Sequence, residues 1–318
     1  MKITVVGAGG NVGSAAALAI AQRDFAQEVV AVDLQINRDG RTLDPAKGRA
    51  LDEWQTAPIH LFDTYLHGTT DYEATAGSDV CVITAGVPRR PGMSRDDLLG
   101  TNAGIVKGVA EQLARYSPDT VIIVVSNPLD AMAYVAYRAS GLPPERVMGM
   151  AGILDTARYR AFLAQELNIS PKDIQALILG GHGDTMVPLP RYTTVTGIPV
   201  TQLIARDRLD EIIRRTQFGG GEFVEIMGTS AWYAPGAAAA QMVEAIALDQ
   251  NRILPCSAWV TGQYGLNDLF VGVPVKLGRG GIREILEVEL DADEQKLLEA
   301  SATDVRSSFA ALNRLMGL

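Results

Sequence analysis

The sequence predicts an α/β fold, with a doubly wound parallel sheet over residues 1–150 and a mixed α+β domain over residues 151–318. Three observations carry this. Short runs rich in β-branched residues recur at 3–6, 28–32, 80–84 and 121–125, without alternation of polar and apolar positions. Strands apolar on both faces belong to a parallel sheet covered by helices on each side. Between these runs lie longer segments of helical pattern, at 14–21, 44–54, 94–116 and 129–139. Finally, the alternation stops near Met150. Beyond it the pattern gives a long helix ending near Asn168, strands near 175–179 and 271–277, and helices around 206–215, 234–248 and 292–315. In such sheets the chemistry faces the crevice at the carboxyl ends of the strands.

The bulk properties narrow the function classes. At 318 residues, 47% hydrophobic and 20% charged, the chain can bury a substantial core and has no tract polar enough for extensive disorder. No apolar run approaches the roughly 20 residues of a membrane span; even 237–247 is broken by Gln241 and Glu244. No signal peptide is recognisable, and two widely separated cysteines, Cys81 and Cys256, suggest neither a disulfide framework nor a zinc site. A cytoplasmic protein is expected. A formal net charge of −9 argues against a nucleic-acid partner, and it calls for arginines to reverse the field wherever an anion is bound.

The first run leads straight into Gly7-Ala8-Gly9-Gly10-Asn11-Val12-Gly13, with glycines 7, 10 and 13 in G-x-x-G-x-x-G spacing. Such a loop permits a tight turn and brings backbone amides and a helix N-terminus close to a pyrophosphate. Asp33 stands at the end of the second run, 20 residues after Gly13. A carboxylate there accepts the ribose hydroxyls of a dinucleotide and repels a 2′-phosphate, so a Rossmann domain binding NAD rather than NADP is expected.

Of three histidines, His182 stands in Leu179-Gly180-Gly181-His182-Gly183, where glycines leave the imidazole accessible. His60 and His67 fall in a polar, turn-rich region and read as surface residues. An imidazole suits proton removal from an alcohol near neutrality. Asp155 and Arg158 lie three residues apart at the start of a helix. They suit, respectively, orienting a histidine and gripping a carboxylate, but read equally well as an N-cap and a surface cation. Arg89, Arg90 and Arg95 crowd the loop that follows the run at 80–84. That pattern fits either a solvated basic loop or a lid closing over an anion.

Taken in order and spacing, these motifs resemble the lactate/malate dehydrogenase family from Gly7 to Leu277-Gly278-Arg279-Gly280-Gly281 and the last helix. The resemblance implies NAD-dependent interconversion of (S)-malate and oxaloacetate, a reaction of the tricarboxylic acid cycle. It makes His182 the general acid/base, Asp155 its partner and Arg158 the clamp on the C1 carboxylate. Arg95 would polarise the carbonyl, and Arg89, at the position where lactate-specific members usually carry glutamine, would meet the second carboxylate. It implies cofactor contacts from Gly7, Gly10, Asn11, Val12, Gly13, Asp33, Asn102, Val125 and Asn127, the last also touching substrate. It further implies a homodimer or homotetramer, with 44–52 resembling the helix that pairs subunits.

Overall fold

The computed structural model describes residues 1–88 and 95–316. Its parallel strands are β1 (Lys2–Val6), β2 (Glu28–Val32), β3 (Tyr65–Thr69), β4 (Val80–Ile83), β5 (Val121–Val124) and β6 (Val147–Gly149). The helices joining or following them are α1 (Asn11–Ala21), α2 (Pro45–Trp54), α3 (Arg95–Tyr116), α4 (Leu129–Ser140) and α5 (Gly152–Leu167). Then come α6 (Arg206–Met227), α7 (Tyr233–Ala247), strands β7 (Arg252–Thr261), β8 (Asn267–Gly278) and β9 (Gly281–Ile285), and helix α8 (Ala292–Met316).

These strands form one nine-stranded sheet in the order β9-β8-β7-β6-β5-β4-β1-β2-β3. The order reverses at β1, which pairs with β2 on one side and β4 on the other. That places the end of β1, and the glycine loop after it, at the topological switch point where such sheets bind ligands. The second half does more than pack beside this sheet. Its strands β7, β8 and β9 extend it antiparallel, joined through the pairing of Ser257 with Gly149. Val80 to Ile83 and Val121 to Val124 are buried at every position, as expected for central strands with both faces covered. Ile3, Ile122, Ile123, Met132 and Phe270 are fully buried in the main core. Each such side chain contributes about 1.5–3 kcal/mol relative to exposure.

Helix α7 of the second half lies against α1 so closely that a Cβ at Gly236 would stand 2.8 Å from the Ala15 carbonyl carbon. Glycine and alanine at this crossing let the two backbones touch. Other features differ from the pattern read in the sequence. The strand expected at 175–179 is two short pieces, Ile174–Gln175 and Ile178–Leu179. Helix α6 continues to Met227 through Gly219, Gly220 and Gly221, beyond the expected end at 215. Strand β7 and a hairpin of Ile36–Arg38 with Arg41–Leu43 carried no clear periodic signal. His60 is exposed, but His67 lies half-buried in β3, its Nε2 2.8 Å from Glu28 Oε1 and its ring stacked on Tyr65. The polar sequence around His67 hid an edge strand. Both cysteines are buried and free, and burial pushes the Cys81 thiol up to about 12. Among the described residues, no helix is long and apolar enough to cross a membrane.

Candidate active site

The glycine loop is built by close approach. Gly7 has φ +87°, and a Cβ there would stand 2.6 Å from Thr84 Oγ1. At Gly13 a Cβ would come within 2.4 Å of the Gly7 carbonyl oxygen. A side chain at Gly7 would push the loop off the end of β4, and one at Gly13 would push α1 away from the end of β1. Gly10 occupies the N-cap of α1 and no side chain caps the helix, so the amides of its first turn are left for an anion. Asn11 accepts from Arg49 at 2.8 Å, and Val12 follows it into the first turn. Asp33, at the end of β2, accepts from the backbone amides of Gly9 at 2.8 Å and Leu34 at 2.7 Å. Those two bonds fix the carboxylate beside the loop and leave lone pairs for a further donor. A cradle that a Cβ would fill, an uncapped helix start and an acceptor beside it together fit a dinucleotide.

Across the switch point, Val125 and Ser126 continue β5, with Ser126 Oγ donating to the Ala85 carbonyl at 2.6 Å. Asn127 is exposed and its peptide bond to Pro128 is cis. Asn102 is buried on α3, where its amide is occupied by backbone: Oδ1 accepts from Val87 N at 2.8 Å, and Nδ2 donates to Val87 O at 3.2 Å and Asn127 O at 2.7 Å. It therefore ties the segment leading to the arginine loop to the segment carrying Asn127. Arg89 lies outside the described residues, as does the side chain of Arg95, whose backbone begins α3.

The histidine and its partners converge from distant parts of the chain. Asp155 is in the first turn of α5, but the N-cap is Ala151, so the capping alternative for Asp155 does not apply. Instead its carboxylate, 2% exposed, divides between two groups, with His182 Nδ1 2.9 Å from Oδ2 and Arg158 Nη1 3.5 Å from Oδ1. A carboxylate accepts, so Nδ1 carries the proton and Nε2 keeps its lone pair. Burial alone would lower the His182 pKa, but the Asp155 carboxylate overrides it and the value lies above the ordinary histidine range.

The loop carrying His182 is held from three sides. Gly180, at φ +87°, exchanges both backbone hydrogen bonds with Gly272 of β8. Ser301 of α8 accepts from the Gly181 amide at 2.8 Å. Asp130 of α4 accepts from the His182 amide at 2.9 Å and from Ser257 Oγ at 2.6 Å. Burial pushes the Asp130 carboxyl above its ordinary range, although these donors act against it. Asp130, Ser257 and Ser301 are absent from the sequence reading. The one available signal for them was an acid within the otherwise apolar start of α4.

Arg158 lies along α6, with Nη1 3.5 Å from the Thr216 carbonyl and most of its side chain covered. A proton acceptor that shares a buried carboxylate with a guanidinium can take a proton from a carboxylate-bearing alcohol. Among the described residues, no group of acids, histidines or cysteines is arranged to hold a metal.

Comparison with known proteins gives the family. Residues 1–149 match the family description lactate/malate dehydrogenase, NAD binding domain, and residues 153–313 match lactate/malate dehydrogenase, alpha/beta C-terminal domain. The chain belongs to the lactate/malate dehydrogenase family. Within that family it is 61% identical to the malate dehydrogenase of Salinibacter ruber (strain DSM 13855 / M31), over 99% of this chain and 98% of that one. It is 56% identical to the malate dehydrogenase of Cytophaga hutchinsonii, over 99% of each chain. The solved malate dehydrogenase structure from Salinibacter ruber superposes with a TM-score of 0.93, at 59% identity over 99% of this chain and 98% of that one. In the family's division, the glycine loop and Asp33 fall in the NAD-binding part, and Asp155, Arg158 and His182 in the C-terminal part.

Proposed function

We propose that the chain interconverts (S)-malate and oxaloacetate with NAD, and that His182, Asp155 and Arg158 form its reacting centre. The observation that carries this reading is the 2.9 Å contact of His182 Nδ1 with a buried Asp155 that also faces Arg158. His182 Nε2 removes the hydroxyl proton, and Asp155 steadies the imidazolium that results. Arg158 receives the C1 carboxylate in a bidentate fork. Arg95 polarises the C2 oxygen, and Arg89 meets the second carboxylate. Bound NAD supplies the acceptor for the C2 hydride. Gly7, Gly10, Asn11, Val12 and Gly13 cradle its pyrophosphate, Asp33 takes the ribose hydroxyls, and Val125 and Asn127 border the nicotinamide. Asn102 positions Asn127 and the start of the arginine loop.

The domain division follows this chemistry, with 1–150 holding the cofactor and lending Arg89, Arg95 and Asn127 to the substrate, and 151–318 supplying His182, Asp155 and Arg158. Self-association as a homodimer or homotetramer is supported by apolar surface around α2 and the one-turn helix Ala57–His60 that follows it, where Leu51 is 57%, Ile59 75% and Leu61 85% exposed. We place the enzyme in the cytoplasm and the tricarboxylic acid cycle, without a nucleic-acid or membrane partner.

The test follows NADH absorbance with oxaloacetate and then pyruvate at equal concentration, in the parent and in Arg89→Gln. A strong preference for oxaloacetate, reduced or inverted in the variant, is expected, because an arginine facing a methyl group is left as an unpaired charge in a closing site. A parent that prefers pyruvate would refute the substrate assignment.

A further inference from the structure

Three consecutive glycines, Gly219, Gly220 and Gly221, sit in the interior of α6. Glycine is the poorest helix former after proline, so a triplet needs a reason. The three do not share one. Gly220 and Gly221 face open space, where an added Cβ would meet nothing within 4 Å. Gly219 is buried, and a Cβ there would stand 2.5 Å from Arg158 Cδ and 2.8 Å from Arg158 Nε. One turn earlier on the same helix, the Thr216 carbonyl lies 3.5 Å from Arg158 Nη1. Asp155 faces the same Nη1 atom at 3.5 Å.

We infer that Gly219 is a positioning residue for substrate binding, a seat whose missing side chain lets the Arg158 stem lie flat on α6 and fixes where its guanidinium meets a carboxylate. This rests on Arg158 being the carboxylate clamp proposed above. The seat can be sized from the structure. Ordinary contact begins at 3.4 Å, so a methyl group at 219 displaces the Arg158 stem by the difference from 2.5 Å, which is 0.9 Å. A misplacement of about 1 Å in a substrate-positioning group costs up to about 10²-fold in rate. The same helix also reaches the histidine loop, since Gln217 Nε2 donates to the Met186 carbonyl at 3.0 Å. General disturbance of α6 is therefore the alternative to exclude, and Gly220→Ala, one residue along the same helix, is the control for it.

The experiment measures kcat and KM for oxaloacetate, and NADH affinity, in the full-length enzyme carrying Gly219→Ala, Gly220→Ala, Arg158→Ala, and Gly219→Ala with Arg158→Ala. Gly219→Ala should lower kcat/KM by about 10- to 100-fold, mainly through KM, with NADH affinity unchanged. Gly220→Ala should match the parent. In the Arg158→Ala background, Gly219→Ala should cause no further loss, because the stem it collides with is gone. If Gly219→Ala alone fails to fold, removing the Arg158 stem should restore folding; failure to do so would overturn the inference. It is equally overturned if Gly219→Ala behaves like Gly220→Ala, or if its loss persists without Arg158. Parent-like kcat/KM in Arg158→Ala would instead remove the clamp, and the seat with it.

Discussion

Asp130 offers the sharpest test of how the histidine is held. Its carboxylate is buried and accepts two bonds, from the His182 amide at 2.9 Å and from Ser257 Oγ at 2.6 Å. Alanine at 130 leaves the amide without a partner and the hydroxyl searching for one. An unsatisfied buried donor costs about 1–3 kcal/mol, so Asp130→Ala should lose about 2–5 kcal/mol of stability. Asparagine should be far milder. Its amide oxygen can accept from the His182 amide while its NH2 donates to a reoriented Ser257 hydroxyl, so both bonds survive. What Asp130→Asn removes is negative charge near an imidazole, and the Asp130 charge is one of the influences raising the His182 pKa.

The sign follows directly. Oxaloacetate reduction needs protonated His182, so the parent's kcat/KM holds at low pH and falls as pH rises through the raised His182 value. In Asp130→Asn that fall should come at lower pH, and the matching rise for malate oxidation should move with it. Stability shifts too. A carboxyl raised on folding contributes fully below its unfolded pKa, and the contribution is lost as pH rises through the folded value. The asparagine variant should lack that dependence. The assay is kcat/KM against pH in both directions, with urea unfolding at each pH. An unchanged pH limb in Asp130→Asn, or an alanine variant as stable as the parent, would refute the reasoning.

Two further outcomes are expected. His182→Asn should lower turnover by about 10²–10⁴-fold while NADH binding, followed by fluorescence titration, stays near that of the parent; turnover within about tenfold of the parent would remove the general acid/base role. Glu53→Gln should stabilise the protein selectively at high pH: burial raises the Glu53 carboxyl from 4.5 to about 7 against the hydrogen bond from Ser14. The parent's penalty is absent below about 4.5, grows through about 7 and then levels off, so the advantage of glutamine should reach roughly 3 kcal/mol above pH 8 and vanish near pH 4.5. Parallel unfolding curves at both extremes would contradict this account.

The sequence by itself determined the features that depend on neighbours along the chain. Unalternating β-branched runs specified central parallel strands, and glycines spaced at 7, 10 and 13 specified a turn onto a helix N-terminus. The accessible histidine between glycines, and the aspartate and arginine three residues apart, were legible for the same reason. Tertiary structure decided what depends on distance across the chain. Nothing local shows that the strands of the second half extend the first sheet, because antiparallel pairing of Ser257 with Gly149 is a contact between segments more than 100 residues apart. Nor does an isolated acid in an apolar helix announce that Asp130 will hold the backbone of His182, or a glycine triplet that one of its members seats Arg158. Hydrogen bonds and close approaches of this kind are fixed only when packing brings the partners together, which is why composition and periodicity carry no trace of them.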